Sequence, residues 1–82
     1  MMENIKIYGT IWCPDCHRSK RLLESKEIPF EWVNIDKDKS ASSLVKEINN
    51  GNRSVPTIIF PDGSHLTEPS NAELLIKIEE MP

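Results

Sequence analysis

The sequence predicts a single α/β domain whose elements run β-α-β-α-β-β-α. Three observations carry that prediction. Short β-branched or alternating segments (Ile5–Gly9, Phe30–Ile35, Pro56–Phe60) are separated by stretches with helical periodicity and helix-capping residues. Pro61-Asp62-Gly63-Ser64 is a tight turn of the kind that joins two strands in a hairpin. The only two cysteines, Cys13 and Cys16, stand where the first strand hands over to the first helix. A Cys-x-x-Cys at that junction reads as a dithiol redox site rather than a structural clip.

Each element has a local cause. Lys6-Ile7-Tyr8, within Ile5–Gly9, is a short strand ended by Gly9-Thr10, with Tyr8 in the core. Pro14 suits the first turn of a helix, where its missing N–H leaves no bond unmade. That helix runs to about Ser25 or Lys26 with Cys16, Leu22 and Leu23 inward, and Ile28-Pro29 breaks it. Phe30–Ile35 alternates apolar and polar residues, so it is a strand with one covered face. After the charged turn Asp36–Lys39, Ser40 caps a second helix with Leu44, Val45 and Ile48 on one stripe. Asn49-Asn50-Gly51 stops it, Gly51 suiting a left-handed C′ position. Pro56–Phe60 and His65–Thr67 are the hairpin strands. Ser70 and Glu73 form a capping box for a last helix with Leu74, Leu75 and Ile78 inward. A right-handed parallel β-α-β followed by an antiparallel hairpin accounts for the order.

Composition narrows the class. The 82 residues make one domain, residues 1–82, with a modest core. A net charge of −3 argues against general nucleic-acid binding. No apolar run approaches the ~18 residues of a membrane span. Met1-Met2-Glu3-Asn4 carries neither a basic nor an apolar signal region, and one cysteine pair is too few for a secreted disulfide scaffold. The expectation is a soluble, cytoplasmic monomer that binds neither nucleic acid nor membrane. His17, Arg18, Lys20 and Arg21 form a basic run directly behind the cysteines, whereas residues 62–82 carry five acidic residues against Lys77. Both runs are ordinary solvated helix faces, yet the first also places positive potential beside a thiol.

Three segments, Trp12-Cys13-Pro14-Asp15-Cys16, Asn52–Thr57 and Asp62–Ser70, together resemble the glutaredoxin family of the thioredoxin fold, and the likeness covers nearly the whole chain. The last two are more similar to the actinobacterial mycoredoxins than to the glutathione-dependent glutaredoxins. The resemblance implies a four-stranded mixed sheet flanked by three helices, and a cis peptide before Pro56 packed against the cysteines. It also implies a thiol–disulfide oxidoreductase acting on protein disulfides or on mixed disulfides with a low-molecular-weight thiol. No cofactor is tightly bound in such a protein. Its electrons come from a small thiol (glutathione, mycothiol or another) or from a thioredoxin reductase.

The residues support that chemistry on their own terms. Exchange needs an accessible thiolate and a second thiol within reach of the mixed disulfide. Cys13 opens the first helix, where unpaired N–H groups and the helix dipole favour the negative charge of a thiolate. Cys16 lies one turn further in and is the resolving thiol. Pro14, Asp15 and Arg18 are the candidate tuners of acidity: Asp15 repels a thiolate and so offsets the helix, while Arg18 supplies positive potential. Tyr often stands at the position of Asp15 in the related proteins. Trp12 offers an apolar shelf to a partner. The resemblance further implies that the cis Pro56 exposes the backbone of Val55, which can then pair with an extended substrate.

Glutathione-dependent members commonly carry Lys where this chain has Thr10, and a Gly-Gly-x-Asp-Asp-like segment where it has Leu66–Ser70. The start of the last helix is still an anion site that Thr67 and Ser70 can assist, with Glu68 opposing and Arg53 compensating. His17 is open to three roles: proton shuttle, third metal ligand or exposed helix residue. Zinc on Cys13, Cys16 and His17, or an iron–sulfur cluster shared between two chains, is the alternative reading, although two cysteines and one histidine fall one ligand short of a closed tetrahedral site.

Overall fold

The computed structural model describes residues 4–81, so the Met1–Glu3 part of the N-terminal reading lies outside the described residues. The elements are β1 (Ile5–Gly9), α1 (Pro14–Ser25), β2 (Phe30–Asn34), α2 (Lys39–Ile48), β3 (Thr57–Ile59), β4 (His65–Thr67) and α3 (Asn71–Glu80). They build one four-stranded mixed sheet in the order β2-β1-β3-β4. β1 runs parallel to β2 and antiparallel to β3, which turns back antiparallel as β4. This is the predicted thioredoxin-type architecture.

The strand alternation divides the core between two faces. Ile5, Ile7 and Ile58 point to one face and pack with Leu23 of α1, Leu74 of α3 and Phe60. Tyr8 points to the other and packs with Ile35 and with Ala41 and Val45 of α2. α1 and α3 therefore share one face of the sheet and α2 covers the other.

Three local expectations are corrected. Asp38, not Ser40, caps α2: its Oδ1 accepts from the Ala41 amide at 3.0 Å, so the helix starts inside the charged turn. β3 is shorter than Pro56–Phe60, because Pro56 has no N–H to give the ladder and the Phe60 amide turns to the Ser64 carbonyl at 2.9 Å. β2 is covered on both faces: Phe30 and Trp32 join the first cluster and Val33 joins the second. The left-handed stop of α2 is shared by Asn50 (φ 56°) and Gly51 (φ 94°). The capping box of α3 forms as read, with Ser70 Oγ accepting from the Glu73 amide and Glu73 Oε1 accepting from the Ser70 amide. Such a cap is worth about 1 kcal/mol.

Candidate active site

β1 delivers the dithiol. Its last residue, Gly9, leaves a notch that a side chain would fill: a Cβ there would lie 2.7 Å from Cys16 Sγ and 2.8 Å from Trp32 Cη2. Cys16 can pack against the strand end only because nothing projects from Gly9. The chain then turns, the Cys13 amide donating to the Thr10 carbonyl at 3.4 Å, and Cys13 becomes the N-cap of α1. Its Sγ accepts from the Cys16 amide at 3.1 Å. An N–H aimed at the sulfur, at the positive end of a helix, stabilises negative charge on it. Pro14 at the first helical position gives up no bond.

The two sulfurs have different surroundings. Cys13 is 6% exposed, more covered than the accessible thiol expected, because Val55 backs it: Sγ donates to the Val55 carbonyl at 3.9 Å. Cys16 is fully buried, and its thiol is pushed up to about 12. Burial is the main cause, followed by the hydrogen bond with Cys13; the charges of Cys13 and Asp15 push the same way and the Thr10 backbone opposes them. Val55–Pro56 is a cis peptide, as the resemblance implied. The Pro56 carbonyl accepts from the Glu68 amide at 2.8 Å, which ties this loop to the end of β4.

Around the dithiol the surface is apolar and exposed. Ile11 is 67% and Trp12 65% exposed. Trp12 is nonetheless held: its Nε1–H donates to Asp36 Oδ2 at 3.0 Å, and the same carboxylate accepts from Arg53 Nη2 at 2.6 Å. Arg53 first, and Trp12 second, hold the Asp36 carboxyl below its ordinary range. His17 does not stand free. Its Nε2 lies 2.6 Å from the Ile11 carbonyl and its ring stacks on Trp32, while Lys20 sits 4.5 Å from the Trp32 ring centroid.

The remaining candidates are engaged elsewhere in the fold. Arg18 reaches Asp15 (3.4 Å), Asn71 Oδ1 (2.8 Å) and the Pro69 carbonyl (3.2 Å), binding α1 to the start of α3. Thr67 Oγ1 donates to Asn49 Oδ1 at 2.7 Å, and Ser70 caps α3. The structure thus brings together Trp12, Cys13, Cys16, Val55 and Pro56, and gives the hydroxyls of Thr67 and Ser70 structural partners. Among the described residues, no three His, Cys, Asp or Glu side chains converge as a metal site.

Two contributors went unread in the sequence. Gly9 carried a usable signal, being a glycine at the end of a strand just ahead of the cysteines. Asp36 carried none, because its partners are 24 and 17 residues away.

A helix-capping cysteine, a buried second thiol one turn on and a cis proline behind them define a dithiol protein of the thioredoxin fold. The glutaredoxin family model matches residues 5–66. The chain is 41% identical over 80 residues to mycoredoxin 1 of Corynebacterium glutamicum, covering 98% of this chain and 99% of that one. It is 37% identical over 65 residues to glutaredoxin 3 of Escherichia coli, covering 79% and 76%. Among solved structures, the glutaredoxin-like NrdH-redoxin of Escherichia coli superposes with a TM-score of 0.79 at 25% identity, over 98% of this chain and all of that one. The chain belongs to the glutaredoxin family, a family of thiol–disulfide oxidoreductases. No helix among the described residues is long and apolar enough to cross a membrane.

Proposed function

We propose that the Cys13-Pro14-Asp15-Cys16 dithiol reduces protein disulfides and mixed disulfides with a low-molecular-weight thiol. The observation that carries this reading is the asymmetry of the pair: Cys13 Sγ accepts a helix amide beside Val55, and Cys16 is sealed beneath it. The thiolate of Cys13 attacks one sulfur of the substrate disulfide; the S–S bond breaks, the other sulfur leaves as a thiolate, and a mixed disulfide with Cys13 remains. Cys16 then loses its proton and attacks Cys13 Sγ, expelling the second substrate thiolate and closing a Cys13–Cys16 disulfide. The substrate has gained two electrons and the dithiol has lost two. Burial keeps Cys16 protonated until the mixed disulfide forms, when the negative charge of Cys13 is removed.

In this reading Trp12 and the backbone at Val55 and Pro56 receive the substrate, and Thr67 and Ser70 shape the α3 end of the cleft. Pro14, Asp15 and Arg18 tune the thiols. Asp15 acts on Cys16 by raising it. Membership of the glutaredoxin family supports a small thiol as reductant, with a thioredoxin-reductase-type donor as the other arm to assay. We place this monomeric activity in the cytoplasm, where a reducing pool recycles the pair.

Turnover with glutathione, other cellular thiols and thioredoxin reductase, offered in parallel, tests the reading. Cys13→Ser is expected to cost at least about 10³-fold, the scale of a lost nucleophile. Cys16→Ser keeps activity on small-thiol mixed disulfides while losing protein disulfides. Full turnover by Cys13→Ser overturns the proposal.

A further inference from the structure

The Trp12–Asp36–Arg53 chain joins the two loops that flank the dithiol. Trp12 precedes Cys13, and Arg53 lies two residues before Val55, whose carbonyl backs the Cys13 sulfur. Asp36 sits between them with both carboxylate oxygens in use, Oδ2 on the indole and Oδ1 on the guanidinium. Arg53 is held a second time, its Nε donating to Ser42 Oγ at 3.3 Å. Arg18, the other arginine near the dithiol, is likewise paired, with Asp15. Neither guanidinium faces the cleft as an uncompensated cation.

We propose that Asp36 is a specificity-determining residue: by pairing with Arg53 it masks the cation that would otherwise receive a substrate carboxylate, so the rim reads apolar shape at Ile11 and Trp12 rather than charge. The inference rests on the thiol–disulfide reading above. Its chemistry is Coulombic. A carboxylate-bearing disulfide approaching Arg53 meets the Asp36 charge as well, and attraction and repulsion largely cancel at that distance. Replacing Asp36 with Asn keeps an oxygen for the Trp12 indole but exposes the Arg53 charge. The side chains of Asp36 and Arg53 are 38% and 40% exposed, so the unmasked cation is open to solvent and to ligands.

The test mixes fully reduced protein with glutathione disulfide, which carries four carboxylates, or with uncharged bis(2-hydroxyethyl) disulfide, and follows protein oxidation in a stopped flow. No recycling reductant is needed. Asp36→Asn is expected to raise the rate ratio, glutathione disulfide over hydroxyethyl disulfide, roughly twofold to fivefold, the scale of one exposed ion-pair charge. Adding Arg53→Gln to that variant removes the gain, and so does ~1 M salt, where the screening length is ~3 Å. A purely structural role for Asp36 would change both rates together and leave the ratio where it was; that result overturns the masking. A ratio that rises equally without Arg53 overturns it too. Wild-type protein that neither disulfide oxidises sinks the thiol–disulfide reading itself, and the masking with it.

Discussion

Two carboxylates in different turns, one after β2 and one between β3 and β4, are dressed with similar partners and do different work. Asp36 has Arg53 and the indole of Trp12; Asp62 has Lys77 (3.1 Å) and the Ser64 amide, with Lys77 lying 5.3 Å from the Phe60 ring centroid. Both carboxyls titrate below the ordinary range, Asp62 at about 2, chiefly through Ser64. The aromatic neighbours differ. Phe60 is buried in the core and Trp12 stands exposed beside Cys13. Asp62 bonds to a residue two positions on and shapes a turn, whereas Asp36 reaches across the fold. Cation, carboxylate and ring close a hairpin where the ring is inside, and present a surface where it is left outside.

The sharpest way to break that comparison is to truncate both rings. Phe60→Ala is expected to cost about 3–5 kcal/mol in denaturant unfolding, as a buried aromatic does, while the protein that remains folded keeps its turnover. Trp12→Ala should leave stability within about 0.5 kcal/mol and lower kcat/KM on protein disulfides about tenfold, the scale of an exposed aromatic anchor. A Trp12 variant that unfolds but reacts normally would erase the distinction. Gly9→Ala comes next, at about 1–3 kcal/mol from overpacking the notch that seats Cys16. Thermal unfolding of the reduced protein measures it.

Smaller effects follow from titration. Cys16 has a folded value raised from 9.0 to about 12, so the protonated thiol is the form the fold prefers. Its contribution to stability is complete below pH 9.0 and declines as pH rises towards 12. Alkylation should accordingly reach Cys13 first, with Cys16 resisting until strongly alkaline pH; mass spectrometry of the singly modified protein checks the order. The Asp62 carboxyl is depressed instead, so its contribution is present above the unfolded value and is lost as pH falls towards about 2. Asp62→Asn should flatten the acid limb of the unfolding curve slightly and leave the rates at the dithiol untouched.

Punctuation made much of this fold legible. β1 ends at Gly9, α1 starts at Pro14 and the turn between β3 and β4 falls on Pro61 to Ser64, as predicted, because Gly and Pro restrict the backbone whatever surrounds them. The capping box at Ser70 and Glu73 was equally local. The α2 cap was misplaced because Asp38 and Ser40 are both competent caps and only tertiary packing chooses between them. The cysteines announced the site. The rim's polar network did not, since nothing in a linear pattern relates Trp12 to Asp36 or to Arg53. Buried Thr10 Oγ1 and Ser19 Oγ, which have no hydrogen-bond partner among the described residues, were also hidden, Ser19 reading as one more polar residue on a basic helix.

The empty place at Gly9 has an optical corollary. The inner sulfur and the edge of the Trp32 indole both crowd within 3 Å of the point a side chain would have occupied. Making or breaking a bond at that sulfur therefore changes what an intrinsic fluorophore feels, while the second indole looks out over the cleft. The polypeptide carries its own pair of lamps, one facing the buried redox event and one facing whatever docks above it.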